Sequence, residues 1–246
     1  MRVAALNDIH GNLPALEAVL REVRQARVDR IVVGGDIVVG PMSREALAYM
    51  LDLDIPVDFL YGNCEVAVMQ VMAGREPAAV PKEHQPTIRW TAAQLQPDYE
   101  KVLAAWPKII TLDVARLGRV IFCHGTPRDD NEVFTQLTPE DRLLPIFEPL
   151  GVPLVVCGHT HMQFDRMVGT TRVVNAGSVG MPFGEPGADW LLLGPEIELR
   201  HTSYDLDKTA ARLRATTYPD DFAGRWLLTP PPAADMLKTF TEYSMR

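Results

Sequence analysis

The sequence predicts an α/β fold: a largely parallel sheet covered by helices, followed by a second, antiparallel sheet. Three observations carry this expectation. Through the first third of the 246 residues, short apolar runs alternate with stretches of helical period. Each of those runs stops at a polar or glycine-bearing turn. From residue 163 to 204 the helical period is lost, and short strand-like runs separated by glycines replace it.

The elements follow in order. Residues 3–6 are an apolar run that ends at Asn7-Asp8. Leu13, Leu16, Leu20, Val23 and Ala26 then fall on one helical face, with Asn12 placed to cap the helix and Pro14 suited to its first turn. Residues 30–33 form a second strand ending at Gly34-Gly35-Asp36. A helix follows Ser43, and residues 57–61 form a third strand ending at Gly62-Asn63. Residues 64–106 read as helix broken by Pro77, Pro81, Pro86 and Pro97. They are expected to form a small helical cap, at about 64–108, inserted in a single domain that spans 1–246. Strands resume at 109–114, 119–123 and 153–157. The runs 164–168, 172–174, 190–193 and 197–201 are assigned to the second sheet. Residues 205–214 return to helix, with Leu206 and Leu213 as apolar anchors. The proline-rich stretch 229–232 leads to a last helix whose packing face the pattern does not identify.

Hydrophobic residues make up 47% of the chain and charged residues 23%, enough to bury a core of useful size. A formal net charge of −8 argues against a general nucleic-acid binder, which needs a basic surface to displace counterions. It leaves room for a small phosphorylated substrate, because bound metals reverse the local field. Cys64, Cys123 and Cys157 are too few and odd in number for a disulfide framework; Cys123 and Cys157 end apolar runs and read as buried strand thiols. The chain opens directly into a strand, without a basic and then apolar leader, and no apolar stretch reaches the roughly 20 residues that span a bilayer. A cytoplasmic protein with no membrane partner is expected. Nothing in the pattern specifies an oligomer.

Five short motifs each follow a strand-like run: Asp8-Ile9-His10-Gly11-Asn12, Gly35-Asp36, Gly62-Asn63-Cys64-Glu65, His124-Gly125 and Gly158-His159-Thr160-His161. In open α/β sheets ligands bind at the carboxyl ends of strands, so five polar motifs at five such ends converge. Carboxylate, imidazole and amide oxygen together suit Zn, Mn or Fe better than Ca or Mg. Two such ions about 3.5–4 Å apart can clamp a phosphoryl group, provided one carboxylate bridges them. Singly, each motif has a plainer reading: Gly35-Asp36 and Gly62-Asn63 are common turn pairs, and His124 could be a satisfied core histidine. Two histidines two apart after a buried strand are harder to explain by packing. Asn12 either faces a phosphate at a helix N-terminus or only caps it. Arg128 either meets a phosphate oxygen or is a solvated loop arginine. His84 and His201 lack such a setting and read as structural or surface residues.

The whole set, from Asp8 to His161, resembles the calcineurin-like metallophosphoesterases. Their pattern is Asp-x-His, Gly-Asp, Gly-Asn-His-Asp/Glu, His and Gly-His-x-His. Asn175-Ala176-Gly177-Ser178-Val179-Gly180 also looks like the Asn-Pro-Gly-Ser segment of small bacterial members. The resemblance implies a two-sheet sandwich flanked by helices in four layers (αββα), with the metal site at the strand C-terminal ends. It implies that Asp8, His10, Asp36 and His161 hold a first ion and that Asp36, Asn63, His124 and His159 hold a second, with Asp36 bridging. It implies a phosphoric ester hydrolase, with a phosphodiester or nucleotide-like substrate favoured over phosphomonoesters and phosphoproteins. A non-catalytic scaffold of the same superfamily is the rival; a scaffold would be expected to lose ligands, and all seven are present. One position departs. The family's phosphatases usually carry His after Gly-Asn, and this chain carries Cys64, as several small phosphodiesterase-like relatives do. Cys64 is either catalytic or a small filler at the strand-to-helix turn. Glu65 either fixes the loop or caps the next helix.

Overall fold

The computed structural model describes residues 1–95 and 97–244. Among them are two five-stranded sheets. The first contains β1 (Val3–Leu6), β2 (Arg30–Gly34), β3 (Val57–Leu60), β9 (Ala188–Leu193) and β10 (Ile197–Thr202), in the order β10-β9-β1-β2-β3. The second contains β4 (Ile110–Val114), β5 (Gly118–Phe122), β6 (Leu154–Cys157), β7 (Phe164–Val168) and β8 (Thr171–Asn175), in the order β4-β5-β6-β8-β7.

The layering follows from the period of two along each strand. All four residues of β1 are buried. Ala4 and Leu6 share a core with α1 (Leu13–Gln25) and α2 (Ser43–Leu51), whereas Val3 and Ala5 point into the space between the sheets. Val32 repeats the inward direction in β2, as do Leu191 and Leu193 in β9. They meet Val120, Phe122, Leu154, Val156 and Val174 from the second sheet. The alternate residues of that sheet, Ile121, Val155 and Val173, pack outward against Leu143, Ile146 and Phe147 of α6 (Glu140–Phe147). Each fully buried side chain of this size is worth roughly 1.5–3 kcal/mol relative to exposure. The result is helices, sheet, sheet, helices.

One expectation is corrected. The runs between 163 and 204 do not make a sheet of their own. β7 and β8 join the second sheet, β8 pairing parallel to β6, while β9 and β10 cross to the first sheet, β9 pairing antiparallel to β1 with Val3 opposite Leu193. The strands that resume after the helical segment, β4, β5 and β6, also belong to the second sheet, where β4 and β5 pair antiparallel at one edge. The cause lies in β1 and β6. Both are buried on both faces, and a fully buried strand needs a hydrogen-bonding neighbour on each edge. Periodicity along the chain does not record which edge remains open.

The helical segment after β3 consists of α3 (Asn63–Met72), α4 (Gln85–Gln94) and α5 (Pro97–Ala104). It shares the core of α1 and α2 through Ala67, Val68, Ile88, Ala92, Leu95 and Leu103. Trp106 stacks on Phe59 of β3, with ring centres 4.8 Å apart, and ties its far end to the sheet edge. Beyond β10 come α7 (Leu206–Arg214), a π-helical turn at Ala223–Leu228, and α8 (Ala233–Ser244). The last helix presents no buried side chain. It is held by Thr241 Oγ1 at 2.7 Å from Thr135 Oγ1 and by Phe240 against Phe183. No helix among the described residues is long and apolar enough to cross a membrane.

Candidate metal centre

The loops leaving β1, β2, β3, β5 and β6 meet at one rim, where the carboxyl ends of both sheets come together. Their backbone is unusual. Asp8 (φ 54°), His10 (46°), Asp36 (53°), His159 (67°) and His161 (56°) all adopt the left-handed conformation without being glycine. Each such residue costs on the order of 1–2 kcal/mol, and residues of this kind cluster at functional sites. The loops hold one another in this state. Asp8 N–H donates to Gly35 O (3.1 Å), His10 N–H to Asp36 O (2.9 Å), Gly158 N–H to His124 O (2.9 Å) and Gly180 N–H to Asp8 O (3.0 Å).

The strain turns side chains toward a common point. Asp8, His10 and His161 offer donor atoms all within 4.8 Å of one another, and Asp36, His124 and His159 do the same. Asp36 also groups with His10 and Cys64. One oxygen of each carboxylate is occupied: Asp8 Oδ2 accepts from His159 N–H and Asp36 Oδ1 from Cys64 N–H, both at 2.9 Å. The other oxygen faces the imidazoles. Asp36 Oδ2 lies 3.4 Å from His124 Nε2 and 3.9 Å from His10 Nε2, between the two sets. Asp8 Oδ1 lies 3.2 Å from His161 Nε2, yet it is buried with no hydrogen-bond partner. Asn63 Oδ1 is 3.0 Å from His124 Nε2.

The imidazoles are oriented from behind. Nδ1 of His10, His124 and His161 faces the carbonyls of Val39, Gly34 and Met181, at 3.3, 2.9 and 3.0 Å. A proton on Nδ1 leaves Nε2 as the ligand atom, the usual arrangement of metal-binding histidines. Nε2 of His10 and Nε2 of His161 then face each other at 3.1 Å. Two lone pairs at that distance repel unless a cation lies beside them. The donor set therefore fits divalent ions on three counts: opposed imidazole nitrogens, an orphaned buried carboxylate oxygen, and a mixture of nitrogen and oxygen ligands.

Electrostatics point the same way. Burial alone would raise Asp8 and Asp36, but neighbouring imidazoles (His161 and His124 for Asp8, His124 and His10 for Asp36) hold both carboxyls below the usual range. Burial opposes charge on His124 as well, and the Asp36 and Asp8 carboxylates outweigh it, lifting His124 to about 10. His159 is pushed down to about 4 by burial and by His124, and His10 is lowered by burial and His161. Two ionised carboxylates with 0% and 2% exposure need positive charge beside them, since unpaired buried charge is very costly; without an ion the His124 imidazolium supplies it, and a bound cation would take its place.

Other candidate residues are placed as follows. Asn12 caps α1, its Oδ1 accepting from Ala15 N–H (3.3 Å) while its Nδ2 donates to Gly180 O (2.9 Å). Arg128 lies over a separate hollow with Tyr243 and is held by Glu132, Nε to Oε2 at 2.8 Å. Cys64 sits in the first turn of α3, its thiol raised by burial and by the Asp36 and Glu65 carboxylates. His201 pairs with Asp189 across β9 and β10, in line with a structural role. Glu65 does both things the sequence left open. It is fully buried and accepts from Gly62 N–H (2.7 Å), Asp36 N–H (2.8 Å) and Val38 N–H (3.2 Å), bracing two loops and the start of α3. Burial and Asp36 raise its carboxyl to about 7.

Sequence reasoning missed three contributors. Ser178 Oγ donates to Asp8 O (2.7 Å), and Asn175 Nδ2 donates to Gly158 O (2.6 Å), so that segment props two ligand loops. The resemblance over 175–180 was the available signal. His84 lines a cavity of about 340 Å³ together with His10, Asn63 and Cys64, and no local pattern announces that.

With the geometry in place, comparison with known proteins is informative. The profile of the calcineurin-like phosphoesterase superfamily domain matches residues 1–194. An uncharacterized protein of Methanocaldococcus jannaschii is 26% identical over 247 residues, covering 92% of this chain and 97% of its own. Among solved structures, the metallophosphoesterase from Sphaerobacter thermophilus is 26% identical with a TM-score of 0.70, covering 92% of this chain and 97% of that one. A hypothetical protein from Pyrococcus horikoshii superposes with a TM-score of 0.79 over 91% of this chain and 96% of its own. At 19% identity, that last match speaks to the fold alone.

Proposed function

The chain belongs to the calcineurin-like phosphoesterase superfamily, and on that premise we propose that it is a hydrolase of small phosphodiester or nucleotide-like substrates that works with two divalent ions. The observation that carries this reading is the position of Asp36 Oδ2, between the Asp8–His10–His161 and His124–His159 sets. Asp8, His10, Asp36 and His161 would hold one ion. Asp36, Asn63, His124 and His159 would hold the other, with Mn, Zn or Fe suited to the donors. When bound, two such ions supply charge neutralisation at the phosphoryl oxygens and a water of lowered pKa.

The chain's own groups do the rest. Asp36, fixed at Oδ1 by Cys64 N–H, keeps both ligand sets in register. Glu65 keeps the Asp36 and Asn63 loops at a constant separation. By the family resemblance, Cys64 takes the position from which an imidazole would hand a proton to the departing oxygen. Its thiol is pushed up by burial and neighbouring carboxylates, so it stays protonated at neutral pH. A thiol is also a weak donor. Esters whose leaving group departs unaided are therefore favoured: aryl diesters over alkyl monoesters. The three cysteines are free, which accords with a cytoplasmic location.

The test is reconstitution with Mn or Zn, metal analysis, and turnover of bis(4-nitrophenyl) phosphate. Stoichiometry approaching two ions per chain, with metal-dependent turnover, is expected. A reproducible stoichiometry near zero in folded protein overturns the reading.

A further inference from the structure

The cavity beside the metal centre has a chemical character of its own. It begins at His10, Asn63 and Cys64 and runs between the helical segment and the region before α8. Val66 and Ile88 line one side, Phe222 and Trp226 the other, and most of the surface it exposes is apolar. Among its lining residues there is no lysine or arginine. Its two carboxylates are engaged elsewhere: Asp220 lies 3.1 Å from Arg225, and Asp130 lies 3.9 Å from Lys108. Its volume of about 340 Å³ falls at the small end of ligand pockets, which begin at roughly 300 Å³.

A phosphoryl group held at the metal centre would leave one ester arm to enter this space. An anionic arm would find no lysine or arginine on the walls and, beyond the candidate ligands, a single imidazole, His84; polar side chains such as Gln70, Thr87 and Asn131 are a minority of the lining. An apolar arm gains affinity in proportion to the area it removes from water. Phe222 and Trp226 lie beyond residue 194, where the family match ends, so this wall is built by the region C-terminal to the matched domain.

We propose that the cavity binds one ester arm of the substrate, and that this arm is an uncharged, apolar group at least as large as an aryl ring. The substrates are then phosphodiesters with one such arm, not polyphosphates or acidic phosphopeptides. This narrows the hydrolase reading and rests on it.

Non-hydrolysable phosphonates test it, because they differ only in the arm. Calorimetry on Mn-loaded protein would compare methylphosphonate, benzylphosphonate and phosphonoacetate. Benzylphosphonate is expected to bind at least about tenfold more tightly than either of the others. Trp226→Ala should shrink that ratio. Ala79→Asp, a change at an exposed lining position, should shrink it without touching the core. Equal affinities for the three ligands overturn the proposal. So does a ratio that both variants leave unchanged, and so does failure of benzylphosphonate to bind at all. Turnover of methyl 4-nitrophenyl phosphate, measured alongside, reports on the hydrolase reading separately. A benzyl preference without turnover would remove the reaction and keep the cavity; turnover without the preference would do the reverse.

Discussion

Asp36 groups with His10 on one side and with His124 and His159 on the other, whereas Asp8 and His161 group on one side alone, although Asp8 Oδ1 is also 3.9 Å from His124 Nε2. Asp36→Asn should therefore lose more bound metal and more turnover than His161→Ala, although it is nearly isosteric and keeps the Cys64 N–H contact. Metal analysis of the two folded variants decides this; wild-type metal content in Asp36→Asn would remove it from the bridging position. Cys64 invites the converse experiment, adding a group. An imidazole has a pKa near 6.5, whereas the thiol lies at about 8.5 in the open chain and is driven higher here by burial and by Asp36. Cys64→His should raise turnover most on poor leaving groups, by up to about 10²-fold, the low end for general acid catalysis. A plot of log turnover against leaving-group pKa should be shallower for the variant. Equal slopes in two folded, fully metallated proteins would mean that this position passes no proton. At this scale the sequence was most legible. Each candidate ligand stands directly after an apolar run, and a strand end fixes its position without further information. His84 was not legible, because its place on the cavity depends on how α3 and α4 pack and on no pattern near it.

The turn from β3 into α3 shows why the elements end where they do. A side chain on Gly62 would collide with Asp36 Oδ1 and crowd His124 Cε1 (2.9 Å), so the strand must end on a residue without a Cβ for the helix to bring Asn63 and Cys64 to the site. Gly62→Ala is expected to reduce metal content, since the methyl must displace Asp36 or the helix start. Gly74, just past α3, is the comparison: its φ is +71° and an added Cβ meets nothing within 4 Å. Gly74→Ala should cost only backbone strain, about 1–2 kcal/mol, with metal content unchanged. Melting curves and metal analysis of the pair separate crowding at the centre from simple strain; equal metal loss would contradict the argument. The first three strands and α1 could be read from period and capping alone, because Asn12, Pro14 and the buried face of α1 all agree. The pairing of β7 to β10 could not. Their short runs fit an antiparallel ribbon equally well, and the deciding fact, the open edges of β1 and β6, is a property of the assembled sheets.

The two sheets meet through an apolar interface and also, at one rim, through the candidate ligands. Asp8, His10, Asp36 and Asn63 follow strands of the first sheet, and His124, His159 and His161 follow strands of the second. An ion bound by both groups ties the sheets together at the point where five residues are held in left-handed backbone. Without the ion, that rim concentrates carboxylates that imidazoles only partly neutralise, and it keeps the strain. Metal should therefore stabilise the whole fold and not just a loop. A ligand that binds only the folded state adds RT ln(1 + [L]/Kd), about 2.7 kcal/mol when free metal is 100 times Kd. For a chain of this length each kcal/mol moves Tm by roughly 2–4 °C, so chelation should lower Tm by about 5–11 °C per ion at that excess. Because the ligands are divided between the sheets, the loss should appear as a shift of a single cooperative transition. Separate melting of a small early phase, with the main transition unmoved, would mean that the ions order only the rim. In Asp36→Asn the same chelator should produce a much smaller shift, since the residue that joins both ligand sets can no longer do so.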